Sequence, residues 1–342
     1  MLRSIVRRSI VALFIAALAS PAIAATQLTG AGSTFVAPFF SKAFYEYSQA
    51  HSDVTINYQP IGSGGGIQQF TAKTIDFGAS DVPMTKEELD RAKEAVVQIP
   101  VALGGEAIAY NLPGIVKGGL KLTRENLADI YLGKLSKWND PQIAKINEGN
   151  TLPDMPIVVV HRSDASGTTY IFTDFLSHVS PEWKTKVGTG KAVSWPAQSS
   201  IGGKGNEGVA GGVRQTPGSI GYIELAYVVE NKMTSAQLQN AAGKFLFCTQ
   251  GTVAAAAATK AAISATDFSI VDAKATGAYP IAGYVWAMFY ENPADKSRGK
   301  LMKDIFEWTI TTGQRIAGGL NYVPLPDNVQ ETAKRGLASI KV

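Results

Sequence analysis

The sequence predicts an α/β fold with largely parallel sheets divided between two domains, and three observations carry that prediction. Short apolar runs alternate with amphipathic stretches along the chain, the pattern of strand–helix units. The chain has 342 residues, and about 318 of them follow an N-terminal export signal, a length that fits two domains. The single cysteine, Cys248, allows no intrachain disulfide, so the packed cores carry the stability.

The first 24 residues read as a secretory signal peptide. Arg3, Arg7 and Arg8 form a basic start, Ile10 to Ala19 is apolar but short for a bilayer span, and Ala22-Ile23-Ala24 matches an A-x-A cleavage site. No cysteine follows directly, so a lipid anchor is not expected. Beyond the signal, the first helix is expected over Val36 to His51. There Val36, Phe39, Phe40, Ala43, Phe44 and Tyr47 recur with a 3.6-residue period, and Pro38 falls in the first turn, where its missing N–H costs little. Strands are expected at Val54 to Gln59, Ile75 to Ala79, Val97 to Ala102, Ile157 to His161 and Ile281 to Tyr290, all short apolar or β-branched runs. Further helices are expected at Lys86 to Ala95, Thr123 to Leu132, Tyr170 to Ser177 and Lys300 to Thr312. Asn111-Leu112-Pro113-Gly114 reads as a turn between units. The alanine-rich tract around Ala254 to Ala258 reads as a surface helix or loop without chemistry.

Composition excludes several classes. Setting aside the three signal arginines leaves 29 basic against 28 acidic residues, about +1, so no basic surface for nucleic acid is indicated. His51, His161 and His178 are scattered without ligand spacing, and no metal or cofactor is expected. Cys248, within Phe245-Leu246-Phe247-Cys248, reads as a small buried hydrophobe. No later run is long and apolar enough to span a bilayer.

Three loops share one chemistry. Arg162-Ser163-Asp164-Ala165-Ser166-Gly167-Thr168 lies between a strand-like and a helix-like run. A helix N-terminus there presents unpaired N–H groups and the positive end of the helix dipole, so the junction suits an oxyanion. Gly30-Ala31-Gly32-Ser33-Thr34-Phe35 precedes the first helix, with Thr34 at the expected N-cap, and Gly62-Ser63-Gly64-Gly65-Gly66 precedes Ile67-Gln68-Gln69-Phe70. A capped turn would account for any one of these loops; three together point to a shared ligand. Arg162 supplies a guanidinium able to grip an oxyanion bidentately, or else a surface ion pair. Asp164 either orients that arginine or caps the following helix. Asp81 in Asp76-Phe77-Gly78-Ala79-Ser80-Asp81-Val82-Pro83 could form an Asx turn before the proline. Beside an anion, its carboxylate is tolerable only if the ligand brings a proton that it can accept. Phosphate has such a proton near neutral pH and sulfate has none.

Two motifs fail their context. Gly203-Lys204-Gly205-Asn206-Glu207-Gly208 matches G-x-G-x-x-G, but Gln198-Ser199-Ser200 before it does not read as a strand. Gly205 also stands where a P-loop needs Ser or Thr. Gly78-Ala79-Ser80-Asp81-Val82 is half of a nucleophile elbow, with Val82 replacing the second glycine. A secreted phosphatase or phosphotransferase would need a metal cluster or an activated nucleophile, and neither is read here; a sulfate- or molybdate-binding protein is the other alternative.

At these residues the chain resembles the periplasmic phosphate-binding proteins of ABC-type phosphate importers. The matching runs include Leu28 to Phe35, Ile61-Gly62-Ser63, Asp76 to Asp81, Ile130 to Lys134, Lys137 to Asp140, Arg162 to Thr168 and Gly218 to Tyr222. The resemblance covers nearly all of the chain after the signal, and residues 236–278 depart from it most. It implies a two-lobed periplasmic binding protein fold of type II, each lobe a mostly parallel sheet flanked by helices, with a hinge of crossing strands. The lobes are implied to be discontinuous: 25–110 with 283–342, and 111–282. It implies phosphate held by Thr34, Phe35, Ser63, Arg162, Ser166, Gly167 and Thr168, with Asp81 accepting the ligand's proton and Asp164 holding Arg162. It further implies a monomeric, non-enzymatic receptor in the periplasm that serves an inner-membrane ABC permease and closes its hinge on the ligand.

Overall fold

The computed structural model describes residues 25–114 and 119–342; the signal-peptide expectation falls on residues 1–24, outside them. In chain order, the first elements are β1 (Thr26–Gly32), α1 (Ala37–Ala50), β2 (Val54–Gln59), α2 (Ser63–Thr71), β3 (Phe77–Ser80), α3 (Lys86–Ala92) and β4 (Val96–Asn111). There follow β5 (Lys121–Leu122), α4 (Arg124–Tyr131), α5 (Pro141–Ala144), β6 (Val158–Arg162), α6 (Gly167–Val179), α7 (Pro181–Lys186), β7 (Ser200–Gly203) and α8 (Gly205–Gln215). The remainder contains β8 (Ser219–Glu224), α9 (Leu225–Glu230), β9 (Gln237–Gln239), β10 (Phe245–Leu246), α10 (Gln250–Ala257), β11 (Ala282–Tyr290), α11 (Lys296–Ile310) and α12 (Asp327–Ala338). Every helix and strand expected from the sequence is present, most with edges shifted by a few residues, and β4 runs nine residues past the end expected at Ala102.

Eight strands form one sheet in the order β2-β1-β3-β11-β4-β8-β6-β7. The outer pairings, β1 with β2 and β3, and β6 with β7 and β8, are parallel. The middle pairings of β11 and β4 are antiparallel, so the largely parallel character belongs to the two flanks. β4 is the seam. Its first ten residues pair with β11, and from Glu106 onward it pairs with β8. Sixteen residues of nearly unbroken apolar character make it long, because both of its faces are covered.

Helix α1 buries the whole face predicted for it, Val36, Phe39, Phe40, Ala43, Phe44 and Tyr47. Phe40 and Phe44 meet Phe77 of β3 and Phe306 of α11 edge-on, an aromatic core at one flank. At the other flank, Phe172 stacks on Tyr222, with Tyr131 and Trp195 beside them. Fully burying one such ring contributes about 1.5–3 kcal/mol, so these clusters fix how helices α1 and α6 lie on the sheet.

The alanine tract corrects an expectation. It is helical, but Val253, Ala256 and Ala257 of α10 are buried rather than at the surface. The helix approaches β4 closely at Gly105, where an added Cβ would lie 2.5 Å from both Cys248 Sγ and Val253 Cγ2. Small side chains on both elements permit this contact. Cys248 is buried, and burial pushes its thiol well above the usual range, as expected of a structural cysteine. No described helix is long and apolar enough to cross a membrane.

Candidate functional site

Three strand ends and one helix start deliver the residues singled out above to one place. β1 leads into Ser33 and Thr34, β3 into Asp81, and β6 ends at Arg162, while α2 begins at Ser63. Ser33, Thr34, Phe35, Ser63, Asp81, Arg162, Ser166 and Thr168 are all buried, none more than 4% exposed. Helix α6 starts at Gly167 with Ser166 as its N-cap, the Ser166 hydroxyl accepting the Thr169 N–H at 3.2 Å. The first amides of α6 therefore point toward Asp81, whose carboxylate Oδ2 also accepts the Thr168 hydroxyl at 3.0 Å.

The two roles left open for Asp164 resolve in favour of Arg162. The guanidinium donates from Nε to Asp164 Oδ1 at 2.8 Å and from its second amino group to Oδ2 at 2.5 Å. Ser166 does the capping. The Arg162 side chain is buried, and its other amino group donates to Thr168 Oγ1 at 3.2 Å. Three of its five N–H donors are used in these contacts, leaving two for a ligand. Asp164 holds the charge in place, and the arginine pulls the Asp164 carboxyl below its usual range.

Asp81 is not an Asx turn. The turn before Pro83 is made by Ser80, whose hydroxyl donates to the Val82 carbonyl and accepts the Val82 N–H. Asp81 instead accepts the hydroxyls of Ser33 and Thr168, and its own N–H donates to Ser63 Oγ at 3.3 Å. Burial raises its carboxyl above the ordinary value, against the opposing pull of Ser33, Arg162 and Thr168. Asp81 and Asp164 outnumber Arg162, so fixed charge alone does not make this an anion site. Oriented N–H and O–H donors have to supply the attraction.

Thr34 is not the N-cap of α1. The helix begins later, at Ala37, with Val36 as the flanking residue, and Ser33 Oγ accepts the Val36 N–H at 3.2 Å. Thr34 Oγ1 is instead held by Asn206 of α8, through its backbone N at 3.2 Å and its Nδ2 at 2.9 Å. The Thr34 carbonyl accepts Tyr227 OH at 2.6 Å, and the Phe35 carbonyl accepts Tyr322 OH at 2.5 Å. The Gly64 N–H donates to the Ala165 carbonyl at 2.9 Å. The bonds from Asn206, Tyr227 and Ala165 join the β1–β3 flank to the β6–β8 flank across the site, while Tyr322 braces Phe35 from its own side.

Comparisons with known proteins place the chain in a family. Residues 19–311 match the PBP superfamily domain. The phosphate-binding protein PstS of Xylella fastidiosa strain 9a5c is 48% identical over 305 residues, covering 89% of this chain and 82% of that protein. Its counterpart in Pasteurella multocida is 46% identical over 309 residues, covering 89% and 88%. The chain belongs to the PstS family of phosphate-binding proteins. Its fold is the two-lobed periplasmic binding protein fold of that family. A phosphate-binding protein from Stenotrophomonas maltophilia shares it with a TM-score of 0.71 at 17% identity, over 91% of this chain and 94% of that one.

Sequence reasoning missed Asn206, which lies in the glycine motif set aside above. β7 does precede that motif and α8 does follow it, so the reading of no strand at Ser200 was wrong. The strand escaped notice because it is short and mostly exposed, with Ile201 its one large apolar residue. The motif serves this PstS-family site from its first turn, where the Gly205 N–H donates to Asp164 Oδ1 at 3.0 Å. Among the described residues, no group of three or more His, Cys, Asp or Glu side chains could hold a metal.

Two further acids were missed, although each sits in an apolar run. Glu106 and Glu224 are directly opposed where β4 pairs with β8, and both are fully buried. Both Glu106 carboxyl oxygens lack a partner among the described residues, as does Oε1 of Glu224. Burial, reinforced by Asp81, pushes both carboxyls well above the usual range. A raised folded value means that the native state holds the extra proton. Stability is then full below the unfolded value, about pH 4.3, and falls as pH rises through the folded one. Within that window each pH unit costs about 1.4 kcal/mol per group. Glu106→Gln removes one such group and is expected to flatten the decline; urea unfolding between pH 5 and pH 9 measures it, and parallel pH profiles for the two proteins would refute the assignment.

Proposed function

We propose that the chain is a non-enzymatic receptor for inorganic phosphate that works in the periplasm, as a monomer, and delivers its ligand to an inner-membrane ABC permease. The observation that carries this reading is the buried junction of Arg162, Thr168 and Asp81, one cation and one raised carboxyl joined through a shared hydroxyl. In this reading Thr34 and Ser63 contribute hydroxyls, Phe35 contributes its amide, and Ser166, Gly167 and Thr168 contribute the donors of the α6 N-terminus. Asp81 accepts the ligand's proton, a task suited to a carboxyl whose affinity for protons burial has raised. Ligand with five heavy atoms at about 1.5 kcal/mol each gives roughly micromolar affinity, and charge-assisted bonds in a buried site tighten it.

The lobes in this proposal comprise residues 25–110 with 283–342, and residues 111–282. The change of partner along β4 supports a hinge between them. Groups from both sides contact one ligand, so phosphate favours the closed form over the open one.

The Asp81 role is tested by Asp81→Asn. Wild-type protein is expected to reject sulfate, because two unprotonated charges face each other. The amide variant can donate to a sulfate oxygen and is expected to accept sulfate in competition calorimetry. A variant that rejects sulfate as firmly as wild type would remove Asp81 from the discrimination. Turnover of a phosphate ester by purified wild-type protein, abolished by Ser166→Ala, would overturn the receptor reading itself.

A further inference from the structure

The phosphate site does not use Glu88 and Lys191, yet they form a partly buried ion pair between the two flanks of the fold. Lys191 Nζ donates to both Glu88 oxygens, at 2.7 and 2.6 Å, and the two side chains are only 11% and 13% exposed. Glu88 belongs to α3, between β3 and β4. Lys191 lies between α7 and β7. The pair therefore joins the two sides that β4 connects.

Each end is tied to a ligand-bearing loop. Glu88 is fixed by the capping box of α3, where its carboxylate accepts the Thr85 N–H at 2.8 Å and its own N–H donates to the Thr85 hydroxyl. Thr85 stands four residues after Asp81. On the other side, the Lys191 carbonyl accepts the Ser166 N–H at 2.8 Å, directly at the N-cap of α6. The preceding residue, Gly190, exchanges bonds with Thr173 inside α6. When the ion pair forms, the Asp81 loop and the α6 N-terminus are drawn into register.

We infer that Glu88 and Lys191 are positioning residues, a latch that forms only when the lobes close and that slows ligand release. This inference rests on the phosphate-receptor reading above. In an open form both groups are solvated and apart. Closure withdraws them partly from water, where their attraction is stronger. Neither side chain is hydrogen-bonded to a residue assigned to the ligand, so its effect is expected on the departure of phosphate rather than its arrival.

Stopped-flow phosphate binding to wild type, Glu88→Gln, Lys191→Met and the double variant tests it. Gln at position 88 preserves the capping box, so α3 keeps its start. Each single variant is expected to release phosphate about five- to tenfold faster with an unchanged association rate. The double variant should be no worse than either single variant. The ligand-free unfolding midpoints should match wild type, which separates a latch from a general structural contact. Release rates equal to wild type, or losses of ligand-free stability that account for the change, would overturn the latch. A wild-type protein that binds no phosphate would instead overturn the receptor reading, and the latch's role in retention with it.

Discussion

Replacing Arg162 with methionine is expected to weaken phosphate binding at least a hundredfold. Methionine approximates the length of the side chain and tolerates burial, but it removes the one guanidinium at the site. Hydrogen bonds to charged groups are worth about 1.5–3 kcal/mol each, so losing two amounts to about 3–6 kcal/mol. At about 1.4 kcal/mol per decade, that is a loss of roughly two to four decades in affinity. A second effect adds to the first. Asp164 keeps the Gly205 N–H but loses the guanidinium that neutralised it, so an unpaired carboxylate then faces the ligand. Arg162→Lys should recover only part of the loss, because an ammonium cannot hold Asp164 and the ligand in one planar fork. Titration calorimetry of both variants measures this, and a methionine variant within tenfold of wild type would remove Arg162 from the site.

Gly167→Ala is expected to cost a comparable amount by another route. A Cβ on Gly167 would lie 2.6 Å from Asp81 Cβ, 2.7 Å from Asp81 N and 2.8 Å from Asp81 Cγ. The obstacle includes backbone at the end of β3, which cannot rotate away. The closed arrangement must therefore open to accommodate one methyl group, and the donors of α6 then miss the ligand that the other lobe holds. Overpacking of this kind costs about 1–3 kcal/mol locally. With several ligand bonds lengthened together, the expected loss is about a hundredfold in affinity. The helix itself gains, because alanine is better than glycine in a helix by about 0.5–1 kcal/mol. The signature is distinctive: weak binding with an equal or higher ligand-free unfolding temperature. A variant that binds like wild type would show that the Asp81–α6 contact is not part of the bound state.

The sequence made much of this legible because the site consists of local signals. Three loop–helix junctions, one arginine and one misplaced aspartate were visible from residue type and spacing alone, and the structure brings them together. Periodicity located α1 because its buried face is wide and aromatic. What escaped were features set by tertiary contact. Thr34 looked like a cap, yet Asn206, 172 residues away, takes its hydroxyl. β7 was invisible because a four-residue edge strand with one large apolar residue shows no alternation. α10 looked exposed because alanine reports nothing about which side of a helix is covered. Glu106 and Glu224 appear only when register sets them side by side.

The central claim is that this chain selects a protonated tetrahedral anion between its lobes. Isothermal titration of the wild-type protein with phosphate, followed by sulfate, addresses it directly. The account predicts one phosphate per chain at micromolar affinity or tighter, and no displacement by an equal concentration of sulfate. Absence of phosphate binding, or displacement of phosphate by sulfate at parity, would contradict it.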